Sequence, residues 1–150
     1  MEENAANEFY NQMSKLHKNV KLSECGLFLD KDHPYIGASP DQMVTCDCCP
    51  NACLEVKCPY SINYTSPDDP TIKLPYLKKV DGNMTLNNQH KYYTQCQIQM
   101  AVTGCSMCYF FVWTQHGFFL EKVTFNPVFW EELRSLLLEF YSFYLKFVYG

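Results

Sequence analysis

No excess of positive charge marks this chain. Its formal net charge is -4, so it carries no global electrostatic footprint for a polyanion, although local phosphate contacts stay open. No charged segment followed by an apolar run opens the sequence, so a secretory leader is not expected and the chain reads as intracellular, nuclear or cytoplasmic. Long uninterrupted apolar runs are lacking too. The most apolar stretch, residues 133–149, is broken by Arg134, Glu139 and Lys146, which argues against a membrane span. Repeats and low-complexity tracts are absent, and 47% hydrophobic with 16% aromatic residues speaks against disorder. A length of 150 residues fits a single domain, 1–150, with a core of its own.

Cysteine, by contrast, is abundant. Nine is an odd number, and without a leader it reads as reduced thiols rather than a disulfide framework.

Along the chain, Ala5, Ala6, Phe9, Tyr10, Met13 and Leu16 have amphipathic spacing and predict a helix over 2–17. Residues 20–29 alternate loosely and end in the polar turn Asp30-Lys31-Asp32, which predicts a strand. A second short strand is expected over 35–44, broken by Gly37 and Pro40, and a compact one over 54–57, stopped by Pro59. Residues 61–75, rich in proline and polar residues, read as a surface loop. A helix over 88–102 is closed by Gly104, and aromatic strands over 109–115 and 118–125 flank His116-Gly117 as a hairpin. Pro127 opens a last helix whose apolar stripe is Phe129, Leu133, Leu136, Leu137, Phe140, Tyr144 and Val148. This order predicts an α/β (α+β) fold with a mixed central sheet flanked by helices.

The most informative segment is Leu54-Glu55-Val56-Lys57. Strand side chains alternate, so Glu55 and Lys57 share one face while Leu54 and Val56 take the other and enter the core. Asp41 lies fourteen positions before Glu55, and a strand end or bulge there would bring the two carboxylates together. Such a pair suits Mg²⁺ or Mn²⁺, which accept few protein oxygens and keep several waters. A metal of this kind activates water for phosphodiester hydrolysis, with an ammonium such as Lys57 alongside to position the water or stabilise the phosphorane. On its own, Asp followed by Glu-x-Lys equally describes an exposed strand face with a weak ion pair.

The wider strings decide between these readings. Cys25-Gly26-Leu27-Phe28, His33 through Asp41 (His-Pro-Tyr-Ile-Gly-Ala-Ser-Pro-Asp) and Leu54-Glu55-Val56-Lys57-Cys58-Pro59-Tyr60 resemble the YqaJ-type viral recombinase family, a lambda-exonuclease-like branch of the PD-(D/E)XK nucleases. His90-Lys91-Tyr92-Tyr93-Thr94-Gln95-Cys96-Gln97-Ile98-Gln99-Met100 looks like the family's Gln-x-Gln helix, and Phe129-Trp130-Glu131 like a common ending. The resemblance implies a restriction-endonuclease-like fold and an Mg²⁺-dependent, 5′-to-3′ exonuclease acting on duplex DNA with a free end. It implies Asp41 and Glu55 as metal ligands, Lys57 as the catalytic lysine, and Gln97 with Gln95 lining the site. Glu3, in a Glu-x-x-Ala-x-x-x-Tyr pattern with Ala6 and Tyr10, is similar to the family glutamate that faces the metals. Relatives form rings, so a homo-oligomer is also implied. The family's phosphate-gripping arginine has no counterpart, because the single arginine is Arg134, and the first family helices are expected to be missing. That departure leaves a second reading open, a catalytically impaired nuclease fold acting as a DNA-binding or protein-interaction module.

Two further groups invite function. Tyr92, Tyr93 and Lys91 would stack bases and neutralise phosphate. Cys46, Cys48, Cys49 and Cys53 would hold a structural Zn²⁺, but their spacing is tight and adjacent cysteines point apart in extended backbone, so reduced thiols are the favoured reading. A third reading, a zinc-stabilised interaction domain, rests on this cluster alone. Cys105-x-x-Cys108 is expected to pack as small apolar thiols.

Overall fold

The computed structural model describes residues 2–62 and 64–149, and the side chains of all these except 144 and 147–149. Its centre is a five-stranded mixed sheet, and each of its strands is one that alternation or aromatic content marks in the sequence. In chain order the elements are α1 (Glu2–Ser14), β1 (Lys21–Ser23), β2 (Phe28–Leu29), β3 (Gly37–Ala38), β4 (Gln42–Thr45), β5 (Ala52–Lys57), β6 (Leu77–Val80), β7 (Asn83–Leu86), α2 (Lys91–Thr103), β8 (Met107–Thr114), β9 (Gly117–Thr124) and α3 (Pro127–Tyr149). The sheet order is β1-β4-β5-β8-β9; β5 and β8 run parallel, and the other neighbours are antiparallel. The parallel step needs a crossover, and α2 supplies it. The α/β architecture expected from the sequence is present.

Two apolar layers sandwich the sheet. On one side α1 lays Ala5, Phe9 and Met13 against Leu54, Val56, Tyr109 and Phe111. Phe9 is fully buried and meets Tyr109 and Phe111 edge-on at 5.4 and 5.5 Å between ring centres. On the other side Cys96 and Met100 of α2 pack with Cys53, Cys108, Phe110 and Val112. The cysteines of Cys105-x-x-Cys108 are both buried in this layer, as apolar thiols. Gly104, at φ 77, closes α2 in the left-handed conformation glycine tolerates best, its N–H donating to the Met100 carbonyl.

Three expectations change. The strands expected over 20–29 and over 35–44 are each two strands in different sheets: β1 pairs β4, while β2 pairs β3 in a separate ribbon. Between them the chain crosses over Pro40, where the Cys25 thiol donates to the Pro40 carbonyl and the Ser39 hydroxyl to that of Gly26. A hairpin, β6–β7, follows the 61–75 loop and was not expected. Its turn residues Asp81 and Gly82 both have positive φ, 51 and 81, as the Asp-Gly turn of a two-residue hairpin requires. Finally, the α3 stripe is not all core. Trp130 is buried, but Leu136 and Phe140 are 63% and 68% exposed, because this helix is apolar on more faces than one contact can cover. Tyr144 and Val148 lie outside the described side chains. Among the described residues, no helix is long and apolar enough to cross a membrane.

Candidate active site

Alternation along β5 divides its side chains as the sequence predicts. Leu54 and Val56 enter the α1-side core, and Cys53, Glu55 and Lys57 face α2. Glu55 is only 7% exposed, an unusual place for a carboxylate unless it is paired. Its Oε1 lies 3.1 Å from Lys57 Nζ, and its Oε2 accepts a hydrogen bond from Gln99 Nε2 at 2.5 Å. Lys57 Nζ donates to Gln95 Oε1 at 3.4 Å and sits 3.9 Å above the Tyr92 ring centre. An otherwise mobile ammonium is thereby fixed at one point.

Asp41 stands just before β4 begins. Its backbone N–H donates to the Leu54 carbonyl at 3.1 Å, and its Oδ2 accepts from the Val56 N–H at 2.8 Å. The carboxylate thus takes the place of a main-chain acceptor beside β5, one residue from Glu55. Burial pushes the Glu55 carboxyl above its usual range and the negative charge of Asp41 adds to this, while Gln99 and Lys57 pull the other way. Asp41 also lines a cleft of about 640 Å³ between α1 and the sheet edge, together with Glu2, Glu3 and Glu24. Glu55, Gln95 and Gln99 line a second hollow beside Gly37 and Ser39.

The expected site residues divide accordingly. Glu55, Lys57 and Gln95 are brought together, while Asp41 is bonded to the amide of the intervening Val56 and opens on the other hollow, the cleft beside α1. Glu3 shares the cleft of Asp41, yet among the described residues Glu3, Asp41 and Glu55 do not close into a group with all ligand atoms within 4.8 Å. Gln97 is not at the site. It is fully buried, donating to the Thr124 carbonyl at 3.0 Å and accepting from the Asn126 N–H at 2.8 Å, so it ties α2 to the end of β9. The residue that reaches Glu55 is Gln99, which is not among the expected site residues. The signal was available: at 100° per residue, positions 95 and 99 share a helix face and 97 does not.

The proposed stacking platforms are also reassigned. Tyr92 packs against Tyr76 and Phe110 while supporting Lys57, and Tyr93 meets Phe129 of α3 edge-on at 5.1 Å. Both rings are taken up by internal contacts, whereas Lys91 is exposed. Cys53 is fully buried beneath β5, with its sulfur 3.3 Å from the Thr103 hydroxyl, so it stands apart from Cys46, Cys48 and Cys49.

Comparison with known proteins bears on the family and the fold. The YqaJ-like viral recombinase domain matches residues 1–106. The fold is similar to that of an alkaline exonuclease, LHK-Exo, from Laribacter hongkongensis, with a TM-score of 0.65 and 21% identity over 94% of this chain and 63% of that one. LHK-Exo in complex with dAMP aligns with a TM-score of 0.64 and 22% identity, over 97% of this chain and 68% of that one. The chain therefore spans about two thirds of the length of these structures. No curated protein matches.

Proposed function

The chain belongs to the YqaJ-like viral recombinase family, and on that premise we propose that it is a divalent-metal-dependent deoxyribonuclease degrading linear duplex DNA from its ends, in the 5′-to-3′ direction. The observation that carries this reading is the fixed group on β5. A buried carboxylate and a pinned ammonium share one strand face, and a second carboxylate is locked to the amide between them.

Asp41 and Glu55 are hard oxygen donors of the kind Mg²⁺ or Mn²⁺ prefers, and burial makes the charged form of Glu55 costly, a cost that a divalent cation would offset. They would hold the metal, and Glu3, which lines the same cleft as Asp41, is a further carboxylate available from α1. When bound, such an ion lowers the pKa of water and neutralises charge developing on phosphate. Lys57 would orient a water or bear on a phosphate oxygen, from a position set by Glu55, Gln95 and Tyr92. Gln99 fixes the second oxygen of Glu55. Exposed Lys91, Lys78 and Lys79 are available for phosphate contacts further along the strand.

The test is digestion of linear and circular duplex DNA with Mg²⁺ or Mn²⁺. Linear DNA should be consumed and circles spared. Lys57→Ala and Glu55→Ala should each lower the rate about 100-fold or more, the scale on which preorganised charged groups act. If the folded chain leaves linear DNA intact with either ion, the nuclease reading fails and the fold serves as a binding module.

A further inference from the structure

We propose that His17, Cys46, Cys48 and Cys49 form a structural zinc site that fastens the chain just after α1 to the turn between β4 and β5. It is a second metal site, on residues separate from Asp41 and Glu55, and its ligand set is not the one the cysteine spacing implied. Cys53 is excluded, and a histidine 29 residues upstream of Cys46 takes its place.

The geometry is specific. The His17 Nδ1 lies 3.2 Å from the Cys48 sulfur, 3.4 Å from that of Cys49 and 4.0 Å from that of Cys46. The sulfurs of Cys46 and Cys48 are 3.6 Å apart, those of Cys48 and Cys49 4.0 Å, and all four ligand atoms fall within 4.8 Å of one another. In a tetrahedron with Zn–S near 2.3 Å and Zn–N near 2.0–2.1 Å, the edges are about 3.8 Å between sulfurs and about 3.6 Å from sulfur to nitrogen. The observed separations straddle these values.

Hydrogen bonding does not account for the same arrangement. One ring nitrogen offers a single proton or a single lone pair, yet three sulfurs converge on it. A disulfide does not account for it either, since bonded sulfurs stand about 2.05 Å apart. A common centre does.

The objection that neighbouring cysteines point apart holds for extended backbone only. Here β4 ends at Thr45 and residues 47–49 form a bend, which turns the sulfurs of Cys48 and Cys49 to one side. The two segments are also aligned without metal. The Asp47 N–H donates to the Lys18 carbonyl at 2.9 Å, and the Asn19 amide bonds the Asp47 carboxylate. Three thiolates and an imidazole in tetrahedral array select zinc over the hard cations of the nuclease site. On binding, each thiol releases its proton to solvent, and the protein gains a link closing the loop between residues 17 and 46.

The full chain, purified under reducing conditions without chelator, should carry about one zinc per molecule. Replacing zinc by Co²⁺ should give the intense visible absorption of a tetrahedral ion with thiolate charge transfer. His17→Ala and Cys48→Ser should lose most of the metal, and Cys53→Ser should keep it. Retention of zinc by His17→Ala and Cys48→Ser would overturn the proposal, as would a content below half an equivalent in the wild-type chain both as purified and after incubation with zinc. Iron in its place would overturn the identity of the metal. Should a variant fail to fold, the stoichiometry and cobalt spectrum of the unaltered chain decide.

Discussion

Among single residues, Glu55 and the three glutamines of α2 carry the sharpest consequences. Because burial raises the Glu55 pKa, the fold favours its protonated form; the favourable contribution is present at low pH and is lost as pH rises through the folded value. Ligation needs the ionised form. The Mg²⁺ concentration giving half-maximal cleavage should therefore climb steeply on acidification, beginning above the ordinary glutamate range. A climb confined to that range or below would mean that Glu55 is not the titrating ligand. Gln97 and Gln99 should separate cleanly. Gln97→Ala leaves the Thr124 carbonyl and Asn126 N–H without their partner and should cost about 1–3 kcal/mol in denaturant unfolding. Gln99→Ala should instead depress cleavage more than stability, because the group it frees, Glu55, keeps Lys57. At this scale the strand residues were legible in the sequence, since a period of two leaves Glu55 and Lys57 no choice of face. Helix residues were less so. Counting along the string puts Gln95 and Gln99 on one face of α2 and Gln97 on the other, but which of these faces meets Glu55 is fixed by tertiary packing.

Elements were legible where pattern and punctuation agreed. Helix α2 ends at Gly104 and α3 begins at Pro127 as glycine and proline demand, and the β8–β9 hairpin is present but turns at Gln115-His116, one residue before the His116-Gly117 expected, with Gly117 opening β9. The β6–β7 hairpin escaped because Leu77-Lys78-Lys79-Val80 has little strand character, although Asp81-Gly82 is a strong turn. Strands β1 and β2 merged in the reading because a crossing between sheets leaves no composition signal. Helix α1 deserves a direct probe, for it brings Glu3 to the cleft and is held by one aromatic anchor. Phe9→Ala removes a fully buried ring wedged between Tyr109 and Phe111 and should destabilise the fold by about 3–5 kcal/mol. Calorimetry or urea unfolding gives the value; a loss under 1 kcal/mol would mean that α1 is not anchored as described.

For the molecule as a whole, net charge and the distribution of carboxylates set the terms on which DNA can approach. At -4, with Glu2, Glu3, Glu24 and Asp41 around one cleft, the metal-free protein repels a phosphate backbone at the place where it must dock. DNA binding should accordingly be weak in EDTA and strengthen at least several-fold with Ca²⁺ or Mg²⁺, falling again as salt rises. Equal affinity with and without divalent ions, by fluorescence anisotropy, would place binding elsewhere on the surface. The three cysteines of the His17 cluster and two carboxylates of the cleft, Glu3 and Asp41, stand out in the sequence, but their partners do not: His17 and Glu24 come from segments far apart in the chain, and local spacing carries no trace of that meeting.

The bond from the Val56 N–H to Asp41 makes that amide a built-in indicator. Any cation reaching Asp41 draws electron density from the oxygen that accepts this proton, so the Val56 amide resonance should shift on Mg²⁺ titration. Gly82, in a turn on the separate β6–β7 hairpin, should stay still. A nuclear magnetic resonance titration would therefore follow occupancy of the centre one backbone proton at a time, with no nucleic acid in the tube.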